Sequence, residues 1–226
     1  MIFETTILGR KELAVDTFEV TLKRPAEFTF VAGQYTQIQL PKLLKADPKG
    51  RSRQFSIVSS PSNFDEVKVV FRMTGSGFKE TLLNLPVGSS LRLEQAAGSF
   101  VLPQTLTRPH VFVAGGVGIS PFMSYVTERV NDHWDHPIRL FYGNQSPEKA
   151  AYLAELKSIE KIQSRFTLHS IYKQPTQELF AQCAKKHTDA TWWVVGPPAL
   201  VATATAGLRM AGIQDQHIKT EPFTGY

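Results

Sequence analysis

Short runs that alternate apolar and polar residues fill the N-terminal part of the chain and predict β-strands. These strands are predicted at residues 17–23, 34–40, 54–59, 67–73 and 89–94. One helix interrupts them, because Ser76 can cap a stretch with apolar residues at helical spacing, namely Phe78, Leu82, Leu83 and Leu85. Short strands separated by Gly, Pro, Asn and Asp turns predict an antiparallel barrel or sandwich.

The pattern then changes, and apolar strands alternate with helical stretches. Strands are predicted at residues 110–114, 138–142, 166–172, 192–195 and 218–223, and helices at residues 120–130, 147–159, 177–186 and 198–211. This alternation is typical of βαβ crossovers and of a parallel sheet. The sequence therefore predicts a two-domain chain, with an antiparallel β domain (a barrel or a sandwich) at residues 1–103 and an α/β domain at residues 104–226.

The composition, 42% hydrophobic and 20% charged over 226 residues, is that of a globular protein. No apolar run is long enough for a membrane helix, and no secretory signal pattern is visible, so we expect a cytoplasmic location and no membrane span. Cys183 is the one cysteine, so these residues cannot supply the four thiolates of an iron-sulfur cluster. Any iron-sulfur partner is expected to be a separate protein.

The net charge of +5 includes a basic group in a probable loop, formed by Lys42, Lys45, Lys49, Arg51 and Arg53. Such a group can steer an acidic redox partner, and a merely solvated loop is the alternative. No nucleic-acid-binding motif accompanies the charge, so no nucleic-acid partner is expected. The six histidines have no spacing typical of a metal site.

The motif Arg53-Gln54-Phe55-Ser56 carries the first candidate chemistry. On a strand, Arg53 and Phe55 share one face, and Gln54 and Ser56 share the other. Arginine offers a fork of donors suited to phosphate, an aromatic ring can stack on a flat ligand, and a hydroxyl can bond a ring nitrogen. The alternative is a surface arginine, a core phenylalanine and a serine at the end of a strand.

Two glycine turns carry the second candidate chemistry. Gly115-Gly116-Val117-Gly118 follows an apolar strand, and Ser120-Pro121 then begins a helix. Glycines let a backbone approach a ligand closely, and amides at a helix start face its phosphates. Gly196-Pro197-Pro198 ends another apolar strand in a similar way. Taken alone, each is also compatible with an ordinary tight turn between a strand and a helix.

These motifs, in this order, resemble the ferredoxin-NADP reductase superfamily. The resemblance implies a flavin-binding barrel followed by a Rossmann-like nicotinamide-binding domain. It also implies a flavoprotein reductase that passes a hydride from NAD(P)H to FAD and electrons on to a separate acceptor such as a ferredoxin, a flavodoxin or a haem protein. Two alternatives stay open: a reductase that uses free flavin as its substrate, and an electron-transfer subunit of a larger complex.

On the flavin side, the resemblance implies that Arg53 binds the pyrophosphate, Phe55 lies against the flavin face and Ser56 is a catalytic residue near flavin N5. Phenylalanine stands at position 55 where tyrosine is commoner in the family, which fits a more exchangeable flavin. The remaining residues expected to bind this cofactor are Gln54, Phe71, Arg72, Gly75 and Ser76.

On the nicotinamide side, the resemblance implies a loop and a second wall of one pocket, formed by Gly115, Gly116, Val117, Gly118, Ser120, Gly196 and Pro197. Glu221 is expected to be a catalytic residue near the flavin edge that helps handle a proton, and Phe223 or Tyr226 is expected to cover the flavin. The choice between NADH and NADPH stays open, because Gly143-Asn-Gln-Ser offers no charge for a 2′-phosphate whereas Lys173 offers one.

Overall fold

A computed structural model describes residues 1–103 and 106–223. The chain separates into two units. Unit 1 contains Met1–Leu102 and the helix Ser120–Arg129, and unit 2 contains the other described residues. That helix groups with unit 1 although its sequence lies within the predicted α/β domain. The domain boundary expected after residue 103 stays a prediction.

Unit 1 is built mainly from antiparallel strands. Its elements are β1 (Ile2–Ala14), β2 (Thr17–Lys23), β3 (Tyr35–Gln39), β4 (Ser52–Ser56), β5 (Glu66–Arg72), α1 (Gly77–Asn84), β6 (Ser90–Glu94) and α2 (Ser120–Arg129). The strands form one six-stranded sheet in the order β4-β3-β6-β1-β2-β5. An isolated bridge between Ile57 and Val69 links the two edges of the sheet, which gives it a barrel-like form.

The first strand, β1, has no counterpart among the sequence-predicted elements. Its early residues alternate between exposed and buried, with Phe3, Thr5 and Ile7 turned inward. Beyond them it carries Gly9-Arg10-Lys11 and contains no buried residue, which hides the period of two. β1 nevertheless lies at the centre of the sheet, because it pairs with both β2 and β6.

The inward faces of the strands and one face of α1 form the core of unit 1. Ile7, Leu22, Ile38, Val69 and Phe78 are fully buried in it. Ser76 caps α1 as the sequence predicts, since its hydroxyl accepts a hydrogen bond from the backbone amide of Lys79. The packed helix therefore presents its N-terminal end beside β4 and β5.

Unit 2 has the alternating strand and helix pattern that the sequence predicts. Its elements are β7 (His110–Gly115), β8 (Ile138–Gly143), α3 (Leu153–Ile162), β9 (Phe166–Ile171), α4 (Gln177–Lys185), β10 (Thr191–Gly196), α5 (Pro198–Met210) and β11 (Ile218–Pro222). All neighbouring strands are parallel, in the order β11-β10-β7-β8-β9. The strand order reverses between β7 and β10, and such switch points are where open parallel sheets bind ligands.

The helix predicted at residues 147–159 is wrong in its extent. Residues Pro147–Lys149 form a short 3₁₀ turn, and α3 begins only at Leu153. Tyr152 separates the two with a left-handed backbone (φ +60°) and is buried. A left-handed residue cannot continue an α-helix, so the break lies at this tyrosine.

Buried aromatic residues hold the centre of unit 2. Trp193 donates a hydrogen bond from Nε1 to Nδ1 of His110 over 2.8 Å, and the two rings stack. Burial lowers the pKa of His110 to about 4, with the nearby charges of His136 and Arg108 adding to the effect. The imidazole is therefore a neutral acceptor in the core.

Neither of the two units contains a described helix with the length and apolar character needed to cross a bilayer. In residues 1–103 and 106–223, no three His, Cys, Asp or Glu side chains gather in a way that would hold a metal ion.

Candidate functional site

A buried carboxylate lies at the start of α1 and is held by four donors. Oδ1 of Asp47 accepts hydrogen bonds from the backbone amide of Lys49 (2.9 Å) and from the guanidinium of Arg53. Oδ2 accepts from the hydroxyl of Ser76 (2.6 Å) and the backbone amide of Phe78 (3.0 Å). We call Asp47 and these four donor residues the Asp47 cluster. It is an anion-binding arrangement whose anion is a side chain of the chain itself.

The guanidinium of Arg53 binds Asp47 and nearby carbonyl oxygens. Its Nη1 donates to the carbonyl oxygens of Lys49 (2.8 Å), Gly50 (3.1 Å) and Ser52 (2.6 Å), while its Nη2 binds Asp47. The Arg53 side chain is 11% exposed and that of Asp47 is 4% exposed. The surface arginine considered as the alternative is therefore wrong, because this guanidinium is largely buried and ion-paired.

Hydrogen bonds fix the charge of Asp47. The Ser76 hydroxyl and the Phe78 amide hold the pKa of this carboxyl well below its ordinary value, with smaller contributions from the Lys49 amide and the Arg53 charge, whereas burial acts in the opposite direction. The group is an anion throughout the physiological range. A charge this well satisfied behaves like a bound ion at the helix start.

A buried lysine lies beside the cluster. Nζ of Lys79 donates to the carbonyl oxygen of Arg72 (2.9 Å) and to Oγ1 of Thr74 (3.2 Å). Burial, together with the charges of Arg53, Lys49 and Arg72, lowers the pKa of Lys79 to about 8. The surroundings of α1 are thus richer in cations than in anions. Sequence reasoning missed Lys79 and Asp47, because neither lies in a motif.

The predicted motif on β4 is split between this cluster and the core. Phe55 is 8% exposed, and its ring lies 5.9 Å from the rings of both Phe71 and Phe78. Ser56 is buried and ends β4, whereas Gln54 is exposed. Phe55 therefore packs as a core residue, as the alternative interpretation of the motif has it. Contact of its ring with a flavin stays a prediction.

The segment after β5 leads from the core to the helix start. Phe71 is a core residue with 2% of its surface exposed, and Arg72 ends the strand. Gly75 has a φ of +74°, which a glycine adopts readily, and it turns the chain into the Ser76 cap. Of the residues predicted here, the structure therefore brings Arg53 and Ser76 together on one carboxylate.

A second carboxylate braces the segment that follows β4. Glu128 of α2 accepts hydrogen bonds from the hydroxyls of Ser60 and Ser62 and from the Ser62 amide. Ser124, one turn earlier on α2, donates to the carbonyl oxygen of Ser59 over 2.8 Å. All of these residues lie in unit 1. Sequence reasoning missed this brace, because its partners are more than 60 positions apart.

The two glycine turns of unit 2 lie against each other at the switch point of the sheet. A Cβ atom on Gly118 would lie 2.8 Å from the carbonyl oxygen of Val195 and 2.9 Å from Cα of Gly196. A Cβ atom on Gly115 would lie 2.9 Å from Cδ of Pro197. The turns can approach this closely only because these positions carry no side chain. Among the other residues predicted for this loop, Gly116 has a φ of +53°, and Val117 and Ser120 are buried.

The C-terminal strand places one more predicted residue near this turn. Glu221 pairs with Val195 across β10 and β11, and the amide of Phe223 donates to the carbonyl oxygen of Gly196 (2.8 Å). Burial raises the pKa of Glu221 to about 7. Its Oε2 is buried and makes no hydrogen bond to any described residue. Tyr226, also singled out by the sequence, lies outside the described residues.

A buried side-chain amide follows β8. Both polar atoms of the Asn144 side chain are buried and make no hydrogen bond within the described part of the chain. Lys173, the charged candidate for a 2′-phosphate, is exposed. The edge of the sheet thus offers unsatisfied amide groups as well as glycine backbone, which suits a polar ligand without demanding a charged one.

Comparison with known proteins adds an independent observation. Residues 112–205 match a protein-family model described as "Oxidoreductase NAD-binding domain". The anthranilate 1,2-dioxygenase electron transfer component of Acinetobacter baylyi is 23% identical over 209 residues, covering 87% of this chain and 59% of the relative. The propane 2-monooxygenase reductase component of Mycolicibacterium smegmatis is 29% identical over 139 residues, covering 61% and 38%. The chain thus spans about half the length of these curated relatives.

Solved structures share the fold. The Amycolatopsis cytochrome P450 reductase GcoB superposes with a TM-score of 0.83 at 20% identity, covering 98% of this chain and 70% of that one. Ferredoxin-NADP+ reductase from Plasmodium falciparum with 2′P-AMP superposes with a TM-score of 0.80 at 19% identity, covering 98% and 96%. The sequence-predicted fold class, an antiparallel barrel-like sheet and a parallel α/β sheet, is confirmed.

Gly118→Ala is expected to destabilise unit 2, because the new Cβ would meet backbone atoms of β10 that cannot move aside. Overpacking of this kind costs about 1–3 kcal/mol. Gly143→Ala is the matched control, since its Cβ would lie at an ordinary 3.7 Å from the nearest atom. Urea unfolding measures both variants. Equal midpoints for the two would show that the close approach at Gly118 is not needed.

Glu221→Gln is expected to change how stability depends on pH. The folded protein holds the Glu221 proton up to about pH 7, whereas the ordinary pKa is 4.5, so wild-type stability falls as the pH rises between these values. The glutamine of the variant does not titrate. Between pH 4.5 and pH 8, the free energy of unfolding of the variant should therefore rise by on the order of 2 kcal/mol relative to that of wild type. Thermal or urea unfolding across this range measures the difference.

Glu178→Gln provides the control, because hydrogen bonds from its own amide and from Thr176 lower the pKa of that carboxyl. Its titration lies below the tested window, so its stability curve should follow that of wild type. A Glu221→Gln curve that also runs parallel to wild type would contradict the raised pKa.

Proposed function

We propose that this chain is a member of the ferredoxin-NADP reductase superfamily and an NAD(P)H-dependent flavoprotein reductase. Unit 2 binds NAD(P)H, unit 1 binds FAD, and the electrons pass on to a separate acceptor. When bound, the flavin accepts a hydride from the nicotinamide and releases the two electrons one at a time. The protein contributes binding, orientation and charge.

The observation that carries this proposal is the contact between the two glycine turns at the switch point of the parallel sheet. Gly118 and Gly196 meet there, inside the residues matched by the NAD-binding family. Parallel sheets bind nucleotides at this place because strand ends diverge and leave room for a ligand. The absence of side chains lets the two turns pack against each other there, and backbone amides at a helix start suit a pyrophosphate.

The residues of unit 1 fit a flavin phosphate. Arg53, the Ser76 hydroxyl and the Phe78 amide together hold the carboxylate of Asp47, and the same three donors suit a phosphate oxygen. Lys79 and Lys49 add positive charge nearby. We assign the phosphate end of the flavin to this cluster. Ser56, buried at the end of the same strand, is assigned to the reacting ring.

Glu221 is assigned to proton handling on the nicotinamide side. Its raised pKa, about 7, lets it hold a proton or release one at neutral pH. Asn144 is assigned to the nucleotide, because its buried amide has donor and acceptor capacity that no described residue uses. Phe223 follows directly after β11 and is tied to the Gly196 turn by its amide.

The acceptor is proposed to be a separate redox protein such as a ferredoxin, a flavodoxin or a haem protein. Support comes from the curated relatives, which are named as electron transfer or reductase components of oxygenases. The exposed basic residues Lys42, Lys45, Lys49 and Arg51 provide a surface for an acidic partner.

A second function, reduction of free flavin as a substrate, is favoured by one observation. The Phe55 ring packs in the core of unit 1 instead of standing on its surface. A flavin that lacks an exposed aromatic ring to stack on is held less firmly and exchanges more readily. A yellow colour that survives gel filtration would count against this second function.

The proposed function is tested by steady-state assays with purified protein. NADH or NADPH is supplied with FAD, FMN or riboflavin, and ferricyanide or cytochrome c serves as the acceptor. We expect flavin-dependent reduction at about 1–100 per second, which is the usual enzyme range. The proposal fails if no combination of nucleotide and flavin gives reduction above the protein-free rate.

Ser56→Ala is expected to slow flavin reduction about tenfold while leaving the flavin bound, because it removes one hydrogen bond at the reacting ring. Stopped-flow absorbance measures the rate, and fluorescence titration measures binding. Ser52→Ala on the same strand is the control, since its side chain lies beside Gln39 at the other end of β4. A Ser56→Ala rate equal to wild type would remove the hydroxyl from the reaction.

A further inference from the structure

The carboxylate of Asp47 uses the donors that a flavin phosphate needs. Both of its oxygens are satisfied, one by Arg53 and Lys49 and the other by Ser76 and Phe78. A phosphate at the start of α1 would require the guanidinium, the hydroxyl and the helix amide at once. The donors cannot serve two anions fully, because each N–H or O–H makes one good hydrogen bond.

We propose that Asp47 is a built-in competitor for the flavin phosphate, which must displace its carboxylate to bind. The inference rests on the proposed function, because it assigns the phosphate to this cluster. It goes further by naming the residue that sets the affinity. Asp47 weakens binding of phosphorylated flavins and leaves binding of riboflavin unaffected.

The charge around the cluster favours such an exchange. Lys49, Arg53, Arg72 and Lys79 are close enough for the first three to lower the pKa of the fourth, and Asp47 is the carboxylate that opposes them. Arg53 is the cation that acts directly on Asp47, and Lys49, Arg72 and Lys79 give this group of residues an excess of positive charge. A phosphate that carries up to two negative charges compensates that excess better than a carboxylate with one, so the exchange is favourable in its electrostatics.

The loop that carries Asp47 lies mostly at the surface, and Leu43 is its hydrophobic contact with the core of unit 1. Residues 41–51 join β3 to β4, and most of their side chains are exposed. Apart from the cluster, the loop is tied to α1 by the Leu44 amide, which donates to Oγ1 of Thr81 (2.9 Å), and by an exposed pair between Lys45 and Glu80. Exposed ion pairs contribute little, so few interactions oppose the movement.

A glycine lets the loop lie directly over the helix. A Cβ on Gly77 would fall 2.4 Å from the carbonyl oxygen of Lys45 and 2.5 Å from that of Ala46. The loop backbone therefore covers the first turn of α1, where a phosphate would approach. Displacement of Asp47 must carry this part of the loop with it.

The test compares flavin binding by wild type, Asp47→Asn and Asp47→Ala. Asparagine keeps an oxygen that can accept from Ser76 and Phe78 and removes only the charge, and thermal unfolding confirms that each variant is folded. Fluorescence titrations use riboflavin, FMN and FAD. We expect both variants to bind FMN and FAD about tenfold more tightly, which is the effect of one charge-assisted hydrogen bond, with riboflavin unchanged. Asp65→Asn, an exposed carboxylate outside the cluster, should bind all three as wild type does.

Hydrogen exchange gives a second measurement that does not depend on the variants. The amides of Lys49 and Gly50 are protected by Oδ1 and the carbonyl oxygen of Asp47. FMN should speed their exchange in wild type, and riboflavin should not.

The outcomes separate this inference from the proposed function. If wild type binds flavins and the Asp47 variants bind FMN and FAD no more tightly, Asp47 is a structural residue and the inference is overturned while the function stands. An equal gain for riboflavin would also overturn it, since the effect would not lie at the phosphate. If neither wild type nor any variant binds a flavin, the proposed function falls together with the inference.

Discussion

A charge buried in unit 1 needs hydrogen bonds and an opposite charge. At Asp47, the groups that meet this need hold three segments of the chain in place at once. The carboxylate joins the loop of residues 41–51 to β4 through Arg53 and to α1 through Ser76 and Phe78. Removing one partner of a buried pair leaves the other uncompensated and typically costs about 3–5 kcal/mol. The loop, the strand and the helix are therefore placed by one electrostatic requirement. Any ligand that enters this region has to satisfy the same requirement.

Much of the fold follows from local pattern, and its exceptions have local reasons. The strands β2 and β5 alternate clearly, and the apolar strands of unit 2 are separated by amphipathic helices, so both sheets are predictable. β1 was missed because none of its residues after Ile7 is buried, although its partners on both sides bury some of its first residues. The break at Tyr152 was missed because a left-handed tyrosine has no sequence signal of its own, unlike a glycine.

The candidate site is predictable in its residue types and unpredictable in its contacts. Alternation gives Arg53 and Phe55 a common face, and both indeed approach the ring of Phe78. The alternation alone does not show that this face is the buried one. Nor can it find Asp47 and Ser76, which lie 29 positions apart and meet only after the sheet has formed. Long-range pairs of polar groups depend on tertiary packing, and a single sequence carries no periodic trace of them.

The two units hold anions by different physical means, and this difference has consequences for exchange. The flavin phosphate site proposed in unit 1 relies on side-chain charge, so its affinity would depend on the competing carboxylate of Asp47 and on salt. The nucleotide site proposed in unit 2 relies on two turns that pack together at Gly118 and Gly196, so its affinity would depend on close packing instead. Charged side chains on a loop can rearrange, whereas two turns pressed together on a parallel sheet cannot. The adjustable site is thus the one assigned to the flavin, and the rigid one is assigned to the nucleotide that must enter and leave at every turnover.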